Sequence, residues 1–72
     1  MKLSSLNKGE KGIVKALDEH ELSSRLLDMG FYEGQHVKVL FSSPFGDPIS
    51  VEVGQTMVSI RKKEADLVIL EE

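Results

Sequence analysis

The stretch from Ile49 to Ile60, ISVEVGQTMVSI, leaves the chain the fewest options. Two runs of apolar/polar alternation flank a two-residue loop whose first residue is glycine, the pattern of a β-hairpin closed by a type II′ turn. Folding the stretch about Gly54-Gln55 pairs Val53 with Thr56, Val51 with Val58 and Ile49 with Ile60. The apolar residues of both runs then share one face, and Ser50, Glu52, Met57 and Ser59 take the other. A slip of one residue would turn the whole apolar set into water, so the register is tightly specified. A two-stranded ribbon is not stable alone, and the other segments must complete a sheet and cover it.

Upstream, Gly9-Glu10-Lys11-Gly12 reads as a turn and Ile13 to Leu17 as a first strand. Asp18 with Glu21 three residues later resembles a capping box, with Asp in place of Ser or Thr. Leu22, Leu26 and Met29 recur at helical spacing, which predicts a helix of about three turns. Leu27 lies off that stripe, either packed under Leu3 and Leu6 or exposed. Gly30 ends the helix, because a chain stopping in the left-handed conformation favours a residue without Cβ. With Gly30 at C′, Phe31 is C″ and Leu26 is C3, the two positions that touch in a Schellman cap.

Glu33 and Gly34 then turn the chain into a strand from His36 to Ser42. Alternation places Val37, Val39 and Phe41 on the core face and His36, Lys38 and Ser42 on the other, with Leu40 breaking the pattern. Pro44-Phe45-Gly46-Asp47-Pro48 is the next turn, and Pro48 suits the start of a strand. After the hairpin, Arg61 to Ala65 is a connection the size of one helical turn, and Asp66 to Leu70 is a last, strongly apolar strand. These elements predict a mainly β single domain over residues 1–72: a small SH3-like five-stranded barrel with one helix inserted between the first two strands. Closure would bury both faces of the terminal strands and remove the sheet edges.

A chain of 72 residues sits near the lower limit for a self-sufficient core, so a large enclosed active site is not expected. The net charge of -3 argues against a phosphate-backbone binder, and Arg61, Lys62 and Lys63 read as a solvated turn. Without cysteine there is neither a disulfide framework nor a thiolate metal site. The N-terminal MKLSSLNKGEKG lacks the apolar core of a secretory signal, and the longest strongly apolar run is Leu67 to Leu70, so the expectation is a chain neither exported by that route nor membrane-spanning.

Gly9-Glu10-Lys11-Gly12 matches the GxxG of KH-type RNA modules, but it precedes a strand in an acidic chain and reads as a plain turn. There is no phosphate-binding GxxxxGK[ST] and no recognisable nucleophile or triad motif, so the chain is read as no enzyme. His20 with Glu21, and His36, are the candidate ligands for Fe2+ or another divalent metal. No HxH or HExxH spacing fixes the two imidazoles to one face, so solvent-exposed histidines are the default and no cofactor is required. What remains is a binding surface. Leu27, Phe31, Tyr32, Phe45 and Met57 are the candidate partner contacts, against the alternative that they finish a small core.

The segments RLLDMGF, EGQHVKVL, PFGDPISVEV and SIRKKEADLVIL together resemble the FeoA family of small ferrous-iron transport proteins, over nearly the whole chain. The residues that carry the resemblance are Arg25, Leu26, Met29, Gly30, Gly34, Pro44, Gly46, Asp47, Pro48 and Arg61 through Glu64-Ala65, in that order. One departure is visible: the family often has its hairpin glycine one place later than Gly54, which affects turn type more than fold. The resemblance implies an SH3-like cytoplasmic accessory protein that associates with FeoB, the membrane ferrous-iron transporter with a GTP-binding domain. Self-association is left open. A second reading is a relative of the SH3-like regulatory domain of iron-dependent repressors of the diphtheria-toxin-repressor type, and a third is a direct Fe2+ binder.

Overall fold

The computed structural model describes residues 1–72. A short 3-10 turn, Leu3–Ser5, precedes strand β1 (Lys11–Leu17), helix α1 (Ser23–Asp28), strands β2 (His36–Ser42), β3 (Ile49–Val53) and β4 (Thr56–Ile60), helix α2 (Lys62–Ala65) and strand β5 (Val68–Leu70). All five strands form one antiparallel sheet in the order β4-β3-β2-β1-β5, with α1 carried between the first two strands.

The β3–β4 hairpin has the pairing read from its alternation, Ile49 with Ile60, Val51 with Val58 and Val53 with Thr56. Gly54 has φ of 61° and no non-glycine residue has a positive φ, which matches a type II′ turn with glycine first. Its buried face is Ile49, Val51, Val53 and Ile60, with Val58 half-buried.

β1 bends the sheet on itself. Its first residues pair with β2, Lys11 opposite Lys38 through Ile13 opposite His36, and its last residues pair with β5, Val14 opposite Leu70 through Leu17 opposite Val68. A bulge between Val14 and Ala16 lets Val14 and Leu17, three apart, both meet buried partners on β5. A second bulge lies between Val39 and Phe41 on β2. It reverses the alternation beyond Leu40, so Phe41 stands opposite Ser50 on the outer face, half exposed, instead of on the core face that simple alternation assigns it.

The curled sheet does not close completely. β4 and β5 end the strand order without pairing, so the edges expected to vanish persist. The N-terminus covers β5: Lys2 bridges Ile69, and the Leu70 N–H donates to the Met1 carbonyl at 2.7 Å. β4 keeps a short edge of only Thr56–Ile60, a common way to limit edge pairing.

The helix is shorter than the three turns its spacing predicts, and the Asp18/Glu21 capping box does not form. Asp18 is tied to the sheet, its N–H donating to the Leu67 carbonyl at 2.8 Å and so taken from Glu21, which would accept it in a capping box. The start is organised instead by the Ser23 hydroxyl, which donates to the Asp18 carbonyl at 2.5 Å, and by His20 Nδ1, which accepts from the Leu22 N–H at 3.0 Å. The helix stop is the Schellman arrangement: Phe31 N–H to the Leu26 carbonyl and Gly30 N–H to the Leu27 carbonyl, both 3.0 Å, with Leu26 and Phe31 fully buried.

Thirteen apolar residues form a single core drawn from every strand but β4's outer face, with Leu26 and Phe31 from the helix region and Ala65 from α2. Glu64 is buried with them at 2% exposure. Its Oε1 accepts the Arg61 N–H at 2.9 Å, the backbone half of a capping box, and its Oε2 accepts from Arg25 Nη1 at 2.7 Å. No buried side-chain nitrogen or oxygen lacks a partner.

Two predictions follow from these contacts. Gly30 has φ of 109°, and a Cβ there would meet Val53 Cγ1 at 3.0 Å, so Gly30→Ala is expected to lose about 2 kcal/mol in urea unfolding. Arg25→Ala leaves one oxygen of a buried carboxylate without its charged donor and is expected to cost about 1–3 kcal/mol. Since about 1 kcal/mol moves the midpoint of a domain this small by about 4–8 °C, thermal melts read the second directly. An unchanged melt of the Arg25 variant would show that water replaces the guanidinium at no cost.

Candidate functional site

The side chains singled out as partner contacts separate into two groups. Phe31 is fully buried, so it belongs to the helix stop and the core and is corrected from the contact set. Its position after a glycine stop inverts the surface reading: C″ folds back under the helix it ends. Leu27 is 50% exposed, Tyr32 52%, Met57 61% and Phe45 96%, so these four stand where a partner could reach them. Of the two placements the sequence allows, Leu27 takes the exposed one, standing at the cleft beside α1, while Leu3 is fully buried in the core.

Phe45 tips a loop that is braced beneath it. The Ser43 hydroxyl donates to the Asp47 carbonyl at 2.6 Å and accepts the Asp47 N–H at 3.1 Å, while Gly46 N–H donates to the Ser43 carbonyl at 2.8 Å. Asp47 Oδ1 in turn accepts the Lys62 N–H at 3.1 Å, which fixes the loop to the start of α2. The Asp47–Pro48 peptide is cis. Phe41, which the alternation concealed, shares the outer sheet face with Met57, since Lys38, Glu52 and Met57 form one row and Phe41, Ser50 and Ser59 the next. The pair Leu40-Phe41, two apolar residues in succession, is the sequence signal of the bulge that turns Phe41 outward.

The two histidines are not brought together. His36 borders shallow depressions shared with Lys11 and with Lys38 and Glu52, or with Glu71 and Glu72, whereas His20 lines a cleft beside α1. Glu21 is exposed and lines neither. No group of three or more His, Asp or Glu side chains is assembled where it could hold a metal ion. The Nδ1 lone pair of His20 is already used by the Leu22 N–H.

The cleft beside α1 measures about 470 Å³ and is open on one side. One wall is the end of β1, where the bulge leaves Ala16 exposed and Leu17 half-buried; the other is Leu27 on α1, with Phe31 as floor. Asp18, Glu19, Glu33, His20 and Lys15 stand around it. The early end of β1 and the late start of α1 together create it, because residues 18–22 cross between them without regular structure.

No helix is long and apolar enough to cross a membrane. A sequence model of the FeoA domain matches residues 1–72. A Campylobacter jejuni protein named provisionally as Fe(2+) transport protein A is 38% identical over 66 residues, covering 90% of this chain and 89% of that protein. In Porphyromonas gingivalis, a protein named as a fusion of Fe(2+) transport protein A with the Fe(2+) transporter FeoB is 29% identical over 66 residues, which are 90% of this chain and 8% of the fusion. The structure of FeoA from Stenotrophomonas maltophilia, determined with zinc and described as a prokaryotic SH3 domain protein, aligns with a TM-score of 0.86 at 32% identity over 99% of this chain and 89% of that one. A manganese-dependent transcriptional repressor aligns with a TM-score of 0.83 at 18% identity, over 94% of this chain and 39% of the repressor, a likeness of fold alone. The five-stranded architecture is therefore SH3-like, as its strand pattern predicts.

Substitution should separate core from contact residues. Phe31→Ala is expected to lose about 3–5 kcal/mol by opening a cavity, whereas Phe45→Ser is expected to stay within about 0.5 kcal/mol of the parent protein in chemical unfolding. A large loss for Phe45→Ser would place that ring in the stabilising framework.

Proposed function

The chain belongs to the FeoA family, and on that premise we propose that it is a non-catalytic accessory protein of ferrous-iron uptake, binding the cytoplasmic part of a FeoB-like membrane transporter and modulating it. The observation that carries this reading is the relative in which the same domain and the transporter are one polypeptide. Fusion holds two units at a high effective concentration, an arrangement that favours even weak contacts between them.

The role asks for recognition without chemistry. Exposed apolar side chains on a well-packed frame, Leu27, Tyr32, Phe41, Phe45 and Met57, are suited to supply contact energy to a partner. A domain of this kind acts by preferring one state of its partner, and the size of its effect is limited to the difference in affinity between the two states. Ferrous iron is then the cargo of the transporter, and the accessory domain needs no resident cofactor. The place of action is the cytoplasmic side of the membrane, reached through the partner.

The test is direct. The purified chain is expected to bind the transporter's cytosolic domain saturably and to change either its GTP turnover or iron uptake by membrane vesicles carrying the full transporter. Absence of both binding and any change in turnover or uptake overturns the proposal. An anaerobic Fe2+ titration that shifts His20 or His36 with saturable stoichiometry would favour direct metal binding instead.

A further inference from the structure

The cleft beside α1 carries charge that the fold does not use. Its lining includes the carboxylates of Asp18, Glu19 and Glu33 around the apolar side chains of Ala16, Leu17 and Leu27. The ion pairs of the molecule lie elsewhere, between the Met1 ammonium and Glu72 and between Arg25 and Glu64. Asp18 is held through its backbone alone, and neither Glu19 nor Glu33 accepts a side-chain or backbone hydrogen bond. Lys15 and His20 are the other titratable groups lining the cleft, so carboxylates outnumber lysine there. Repulsion among unneutralised carboxylates does not stabilise a fold, and an apolar side chain left half in water among them adds nothing to it either.

From this arrangement we infer that the cleft receives a short cationic amphipathic segment of a partner protein. One large apolar side chain of that segment rests on Leu17 and Leu27, and Lys or Arg side chains on either side of it meet Asp18, Glu19 and Glu33. Charge complementarity decides the occupant. Nucleic acid and anionic lipid are repelled by the same carboxylates, and a lone divalent cation finds no assembled ligand set. A purely apolar segment would bury carboxylates without partners. The rim pairs are solvent-exposed, so binding is weak by itself, sensitive to salt, and dependent on the apolar anchor for specificity. The identity of the partner rests on the transporter reading above; the chemistry of the segment does not.

The probe is a synthetic peptide of about twelve residues with a central Leu-Phe pair flanked by lysines, titrated into the isotopically labelled full chain at low salt. Saturable backbone-resonance shifts are expected at Leu17 to His20, at Leu27 and at Glu33. A peptide with Ser in place of the Leu-Phe pair should bind at least about tenfold more weakly, and one with Glu in place of its lysines should not bind. The Glu19→Lys/Glu33→Lys double variant, altered only at exposed positions, is expected to keep the spectrum of the fold elsewhere and to lose at least about tenfold in affinity. Equal binding of the Ser peptide, shifts that never saturate, or shifts centred on Phe41 and Met57 would each overturn the assignment. So would concentration-dependent shifts at the cleft without peptide, which would mark a second copy of the chain as the occupant. With the transporter's cytosolic domain as ligand, equal binding by the parent chain and the double variant would sink the cleft as the transporter contact while leaving the accessory role standing. No binding by the parent chain, with GTP turnover and iron uptake also unchanged, would sink the accessory role, and the peptide titration still decides the cleft.

Discussion

The arrangement of this small domain hangs on one buried carboxylate. Glu64 is 2% exposed, and an ionised group so placed is tolerated only where donors surround it. Each of its oxygens has one: the guanidinium of Arg25 and the backbone N–H of Arg61. Arg25 lies 39 residues earlier in the chain, so the interaction anchors α1 to α2 across the fold. The next backbone N–H of α2, that of Lys62, goes to Asp47 on the β2–β3 loop. Ser4 on the N-terminal turn bonds Asp66 at the other end of α2. A helix of four residues thereby ties together three segments that share no strand ladder. Neither helix is long enough to be stable in isolation, so their positions are set by these ties and by the burial of Leu26 and Ala65.

That constraint explains why the short sequence signatures fall where they do. Arg25, the Gly46-Asp47-Pro48 turn and Arg61 through Ala65 are far apart in sequence and look unrelated as motifs. In three dimensions they are the donors and acceptors of one junction around α2. Gly30 and Phe31 belong to the same logic from the other side, since the Schellman stop folds Phe31 under α1 and gives the helix that carries Arg25 its floor. The surface follows: with Leu26 pointing inward, Leu27 is left outward at the cleft.

How much of this was legible in the sequence depends on whether the deciding interaction was local. The β3–β4 register was fully legible, because alternation and a two-residue glycine loop both act within twelve consecutive residues and agree. The helix stop was legible for the same reason. The helix start was not: Asp18 and Glu21 look like a capping box, but the Asp18 N–H is claimed by the carbonyl of Leu67, a partner distant in sequence. Phe41 was misplaced because a bulge is a property of a strand pair, invisible in either strand alone apart from the Leu40-Phe41 stutter. In sequence Phe31 suits both a helix latch and a surface contact, and packing selects the latch. The surface residues are the least legible of all, since nothing in a sequence marks which apolar side chains the core has no room for.

The acidic side chains of the molecule make that last distinction sharper than its apolar ones do. Glu64 is buried and accepts two hydrogen bonds, one to each oxygen, the pattern of a charge retained to fix geometry. Asp18, Glu19 and Glu33 make no salt bridge within the chain, although Lys15 stands in the same cleft. Under the role proposed above, such a reserve of unpaired charge has a physical use: it is a term that changes when a partner arrives, whereas a salt bridge already made inside the fold cannot. A contact built this way is weak for a free domain and adequate for one held beside its partner, so a tether such as the one in the fused relative would raise the occupancy of the proposed cleft contact without changing its chemistry.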